Sequence, residues 1–94
     1  YENQYYVGRE ELMKIEDALL VYPNPAVSSF RITGNASFKR IEVLDIRGVQ
    51  IYKEEYLGPV NEIMIFTDDW PEGLYHLVVN YSEGLRQVSR LIVL

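Results

Sequence analysis

Residues 68–79 read DDWPEGLYHLVV. Pro71 and Gly73 occupy i+1 and i+3 of a type I turn that starts at Trp70. Behind that turn, Tyr75, Leu77 and Val79 recur at period two, the spacing that sets side chains on one face of a strand. The same grammar repeats outward in both directions. Short runs of β-branched and aromatic residues predict strands over 19–22, 29–33, 38–46, 49–55, 61–66, 74–80 and 86–94. The stretches NPAVSS, TGNAS, YLGPV and SEG turn the chain between them. Arg47-Gly48 suits a tight hairpin with Gly48 at positive φ. Seven short antiparallel strands at this spacing predict an all-β, two-sheet sandwich over 19–94.

The bounds agree. Ninety-four residues make at most one domain, and a chain of this size buries roughly 60–65% of its unfolded surface, enough for a single core. Apolar content of 48% is that of a globular chain, not a disordered one. Cysteine is absent, so neither a disulfide framework nor a cysteine metal site is possible. A net charge of −5 disfavours nucleic acid, which is bound by basic faces. No apolar run is long enough to form a transmembrane helix. Residues 1–18 read differently from the rest. Leu12, Ile15 and Ala18 or Leu19 fall at helical spacing and Glu10 sits four residues before Lys14, so this segment is expected to be a short amphipathic helix or a linker.

Two details sharpen the sandwich. In VYPNP, residues 21–25, Pro23 removes a ladder donor and fixes φ, and each proline pushes its predecessor, Tyr22 or Asn24, towards extended backbone. The segment is expected to end an edge strand and turn the chain inward, with the Asn24 side chain bonding nearby backbone. Phe30/Ile32, Ile41/Val43, Ile63/Ile65 and Tyr75/Leu77/Val79 mark inward faces. IEVLDIRG breaks step, because Asp45 shares the parity of Ile41 and Val43; a bulge near Leu44 or Asp45 would restore the register. In the last strand Val88 differs in parity from Leu91 and Val93, so that strand either kinks near Ser89–Arg90 or is apolar on both faces.

Four stretches in order resemble the motifs of the C-terminal sorting domains of the type IX secretion system. They are VYPNPA from Val21, IEVLDIRGVQI from Ile41 to Ile51, WPEGLYHLVV from Trp70 to Val79, and SRLIVL ending at Leu94. The matching positions are Tyr22, Pro23, Asn24, Pro25, Asp45, Gly48, Pro71, Gly73 and Tyr75. The departures are Leu44 for the usual Tyr, Val49 for a basic residue, Trp70 for Leu, and a single basic residue, Arg90, where the last motif often has two. The resemblance implies a signal and not an enzyme: a domain that needs no cofactor, is read by an outer-membrane translocon, and is cut from its cargo by a sortase in the preceding linker. It implies export through the periplasm to the cell surface or beyond. Residues 1–18 match that linker in position only. Arg90, Leu91, Ile92, Val93 and Leu94 are the candidate translocon-recognition residues, because an apolar strand behind a cation suits an acidic receptor groove. Strand addition at an open edge is the expected docking mode.

Other constellations weigh little. His76 is the lone histidine, expected to face outward, and has no companions for zinc. Asp68, Asp69 and Glu72 form an acidic turn without EF-hand spacing. No nucleophile motif accompanies a base, so no catalysis is expected. Asn35 and Asn80 each begin an N-x-S triplet, read as chance in turns. Tyr75, two residues after Gly73, echoes the tyrosine corner of immunoglobulin-like sandwiches, with Pro71 where the usual acidic residue stands four positions before it, and Leu77 takes the core place of their cysteine. Trp70 is expected to plug one end of the sandwich. Two rivals stay open: a standalone exported immunoglobulin-like protein, such as an adhesin or periplasmic factor, and a carbohydrate-binding module using its eight tyrosines, three phenylalanines and one tryptophan. A large domain upstream of Tyr1 would favour the sorting signal, and a signal peptide directly before it the standalone protein.

Overall fold

In the computed structural model, which describes residues 6–7 and 19–94, residues 73–79 of DDWPEGLYHLVV lie in the longest strand. In chain order the strands are β1 (Tyr6–Val7), β2 (Leu20–Tyr22), β3 (Ser29–Thr33), β4 (Phe38–Leu44), β5 (Gln50–Glu55), β6 (Glu62–Phe66), β7 (Gly73–Tyr81) and β8 (Arg86–Val93). They form two antiparallel sheets, ordered β1-β8-β7-β4-β5 and β2-β3-β6. No helix occurs among the described residues. The seven strands expected after residue 18 are all present, with ends shifted by at most two residues. The addition is β1, which pairs Tyr6 with Val88 and Val7 with Gln87. The helix or linker expected over the rest of residues 1–18 lies outside the described residues.

The core fills from the inner faces of both sheets. Phe30, Ile32 and Ile65 of the small sheet meet Ile41, Val43, Tyr75, Leu77, Val79, Leu91 and Val93 of the large one, all buried; Ile63 is half-buried against them. The expected inward faces are therefore the observed ones. Val78 faces the other way yet is also buried, because it sits mid-sheet between Glu42 and Val88. Two polar side chains join the interior as a pair: the Tyr81 hydroxyl donates to Gln87 Oε1 at 2.6 Å, with the Phe38 ring 5.9 Å from that of Tyr81.

Register is adjusted at two places. Phe38 pairs with Tyr81 and Arg40 with Asn80, so Lys39 is an extra residue on β4. That bulge reverses the parity between Phe38 and Ile41 and lets both point inward. The second shift falls where a bulge near Leu44 or Asp45 is expected, but the partner strand carries it. A shift does fall between Val43 and Leu44, but those residues pair with Tyr52 and Gln50, so the extra residue is Ile51 on β5. The β4–β7 ladder runs on through Leu44, and β4 simply ends before Asp45. The β7–β8 ladder is continuous from Gly73–Val93 to Asn80–Arg86, which removes the kink alternative for the last strand. β8 instead carries apolar groups on both faces, with Leu91 and Val93 inward and Ile92 outward.

The turn before β7 is also relocated. The hydrogen-bonded turn is Thr67–Trp70, closed by Trp70 N–H to the Thr67 carbonyl at 3.0 Å, three residues earlier than the turn expected from Trp70 to Gly73. Gly73 has φ of 152°, a conformation open to glycine and rarely to other residues, and it launches β7.

Tyr81→Phe leaves Gln87 Oε1 buried without its donor. The expected cost is about 1–3 kcal/mol, read as a lower midpoint in thermal or urea unfolding with an unchanged fold.

Candidate recognition surface

Pro23 ends the β2–β3 ladder after the Tyr22–Arg31 pair. The next residues cross to the other sheet. Asn24 lays its side-chain amide along the outer edge of β8: Oδ1 accepts from the Ile92 N–H at 3.0 Å, and Nδ2 donates to the Arg90 carbonyl at 3.0 Å. Ala26 continues with backbone, donating to the Ile92 carbonyl at 2.7 Å and accepting from the Leu94 N–H at 2.8 Å. Its methyl is fully buried. An amide side chain presents an N–H beside a carbonyl oxygen, as a peptide group does, so Asn24 stands in for a strand residue at a position flanked by prolines. Together with β1 at Val88 and Gln87, this strap occupies the β8 edge. Strand addition, expected at an edge of the sandwich, therefore finds the β8 edge beside residues 90–94 already occupied. The outermost strands are β1 and β5 in the large sheet and β2 and β6 in the small one.

The other motif residues gather at turns. Asp45 begins the β4–β5 loop. Its Oδ1 accepts from the N–H groups of Arg47 at 2.9 Å and Val49 at 3.0 Å, and its Oδ2 holds Arg47 Nη2 at 2.9 Å. The Gly48 N–H donates to the Asp45 carbonyl, and Gly48 has φ of 87°, so the hairpin is a type I turn followed by a left-handed glycine. The Val49 N–H and then the Arg47 side chain hold the Asp45 carboxyl below its usual pKa. The Tyr75 hydroxyl donates to the Pro71 carbonyl, which is the tyrosine corner in geometry. Burial, and secondarily the Asp45 charge, push the Tyr75 phenol upward. Trp70 lies half-buried over this end, with ring centroids 5.4 Å from Tyr75, 6.1 Å from Phe30 and 6.2 Å from Tyr52. It plugs this end of the sandwich, with its ring packed against three aromatic neighbours.

The five residues at 90–94 divide by parity. Leu91 and Val93 belong to the core; Arg90, Ile92 and Leu94 point outward. Arg86 and half-buried Val88 extend the outward row along β8. Across the ladder, Leu74 pairs with Ile92 and His76 with Arg90, so His76 does lie on the outer face. Arg31, Arg40 and Arg47 each hold a carboxylate, Glu62, Glu42 with Glu55, and Asp45 respectively. Arg86 and Arg90 hold none among the described residues. Sequence reasoning singled out Arg90 and missed Arg86, although both have the parity of Ile92.

The small sheet's outer face is apolar, with Leu20, Tyr22, Met64 and Phe66 exposed around the Arg31–Glu62 pair. A shallow cleft of about 520 Å³ lies at the opposite end of the sandwich from Trp70, between Ser37, Tyr56, Asn61 and Glu83. Among the described residues no group of three His, Asp or Glu side chains is placed to hold a metal, and no helix is long and apolar enough to cross a membrane.

Residues 20–94 match the family model for the secretion system C-terminal sorting domain. No curated protein matches the chain. Among solved structures, a DUF3244 family protein from Bacteroides vulgatus with an immunoglobulin-like β-sandwich fold is similar at a TM-score of 0.65 and 14% identity, covering 79% of this chain and 82% of its own. At that identity the likeness establishes the fold.

Two outcomes test this geometry. Because the Asp45 pKa is depressed by folding, its contribution to stability is complete above the unfolded value near 3.8 and is lost as pH falls through the lower folded value. The Arg47 and Val49 amide resonances should titrate together in that acid window, and in Asp45→Asn this step should disappear. Trp70→Ala is expected to lower stability by about 2–4 kcal/mol in chemical denaturation, at or below the range for a fully buried aromatic.

Proposed function

Because the chain belongs to the family of secretion system C-terminal sorting domains, we propose that its sandwich is a non-catalytic address that carries a covalently attached cargo through the type IX translocon. Export to the cell surface or extracellular space follows from the family. The finer route is our reading: the outer-membrane translocon takes the folded domain as its ligand, and a sortase separates it from the cargo within residues 1–18. The observation that carries this reading is the family match over residues 20–94. It is supported by where the motif residues sit. Asn24, Asp45, Gly48, Pro71 and Tyr75 spend their polar groups and backbone freedom on strand edges and turns.

Of residues 90–94, Arg90, Ile92 and Leu94 are the members a receptor can touch in the folded domain. Leu91 and Val93 act through the core. Deleting Arg90–Leu94 would also remove the partners of Asn24 and Ala26, so truncation unfolds the domain as well as removing the signal. The test is therefore gain of transport. Residues 1–94 are fused behind a reporter that has its own inner-membrane signal, in a host with a type IX system. The reporter should reach the surface or medium with the domain and stay in the periplasm without it. Periplasmic retention of a fusion whose domain is folded would refute the sorting role.

A further inference from the structure

Resting on the sorting reading, we propose that the partner reads β8 through its outward side chains Arg86, Val88, Arg90 and Ile92 and not through its backbone edge, and that this partner is a protein surface with two carboxylates about 13 Å apart flanking an apolar contact. The edge is closed by the chain itself. Tyr6–Val7 pairs with Val88–Gln87, and Asn24 and Ala26 take the Arg90 carbonyl, both backbone groups of Ile92 and the Leu94 N–H. An arriving strand finds those groups already bonded.

The face is open. Arg86 and Arg90 are exposed, Ile92 is 43% exposed, and its cross-strand neighbour Leu74 is 37% exposed. In a chain of net charge −5, carboxylates are plentiful, and the other three described arginines are each paired with one. Two guanidiniums that hold no acid among the described residues, on one strand face four residues apart, present ten donors. Across the ladder they face Asn80 and His76, which add no negative charge. Beyond these, Glu42 on β4 is held by Arg40. Guanidinium forks match carboxylates in bidentate geometry, and the apolar side chains at Val88, Ile92 and Leu74 exclude water from such pairs. The small sheet's outer face is more apolar, but its ion pair is internally satisfied, so it makes no comparable demand on the charge of a partner.

The test uses the reporter fusion in a type IX host. Arg86→Glu/Arg90→Glu should lower export roughly tenfold or more, since it sets like charges against the partner's acids. Both positions are exposed, so the melting temperature should move by less than about 3 °C. Lys39→Glu/Lys53→Glu makes the same change of net charge elsewhere on the large sheet and should leave export near wild type. Asn24→Ala frees two edge groups of β8 and should not raise export. Wild-type export by the Arg86→Glu/Arg90→Glu fusion, or export raised several-fold by Asn24→Ala, would overturn the face reading while leaving the sorting role intact. Failure of the unmodified fusion would instead remove the sorting role and this proposal with it. Binding of the wild-type chain to anionic phospholipid vesicles that is lost in Arg86→Glu/Arg90→Glu would assign the face to a membrane and overturn the protein partner.

Discussion

A β-strand at the side of a sheet has a row of backbone groups that must be bonded to something, and this constraint organises the domain around β8. The side-chain amide of Asn24 meets it over the Arg90–Ile92 stretch and the backbone of Ala26 over Ile92–Leu94. Because Asn24 follows directly from β2, the same few residues that leave the small sheet also complete the large one. The two sheets are thus joined by backbone bonding as well as by core contact. The prolines at 23 and 25 fit this arrangement: neither can donate a ladder bond, so pairing passes to the asparagine side chain between them and resumes with the Ala26 N–H.

Each sheet also needs its apolar residues on one face, and a uniform period-two pattern does not deliver that here. The Lys39 bulge lets Phe38 and Ile41 both reach the core despite opposite parity. At the far end of β4, Asp45 keeps core parity but lies past the last ladder residue, where its carboxylate is satisfied by the turn's own N–H groups. The irregular positions are therefore what allow a regular core.

The strand sequence of the sandwich was legible because turn residues and alternation are local signals. The inward faces of β3, β4, β6 and β7 could be read from the spacing of Phe30, Ile32, Ile41, Val43, Ile65, Tyr75, Leu77 and Val79. What escaped depends on contacts between residues far apart in the chain. Parity can show that IEVLDIRG needs an adjustment, but not that the partner strand supplies it through Ile51. The burial of Val78 follows from its central place in the sheet, which no local pattern encodes. Residue type alone points the Asn24 side chain to nearby backbone, whereas its partners lie 66 and 68 residues away. Of the candidate recognition residues, alternation separated Leu91 and Val93 from Ile92, but the closure of the edge beside them needed the fold.

This division explains why the most recognisable residues of the chain are poor candidates for touching a receptor. Asn24, Asp45, Gly48 and Tyr75 are constrained by what they do inside the fold: an edge bond, a turn cap, a left-handed backbone, a corner hydroxyl. A receptor that bonded the Asn24 amide would have to displace it from β8 and expose the groups it covers. The outward positions of β8 carry no such obligation. Arg86 and Arg90 neither close a turn nor neutralise an acid within the described chain, and Ile92 contributes its backbone to the fold while leaving much of its side chain in solvent. Their charge and exposure are free to be complementary to another molecule. Of the motif residues, Asn24 closes the β8 edge while Asp45, Gly48 and Tyr75 fix turns, so under our proposal the outward side chains of β8 are what remains for a partner to recognise.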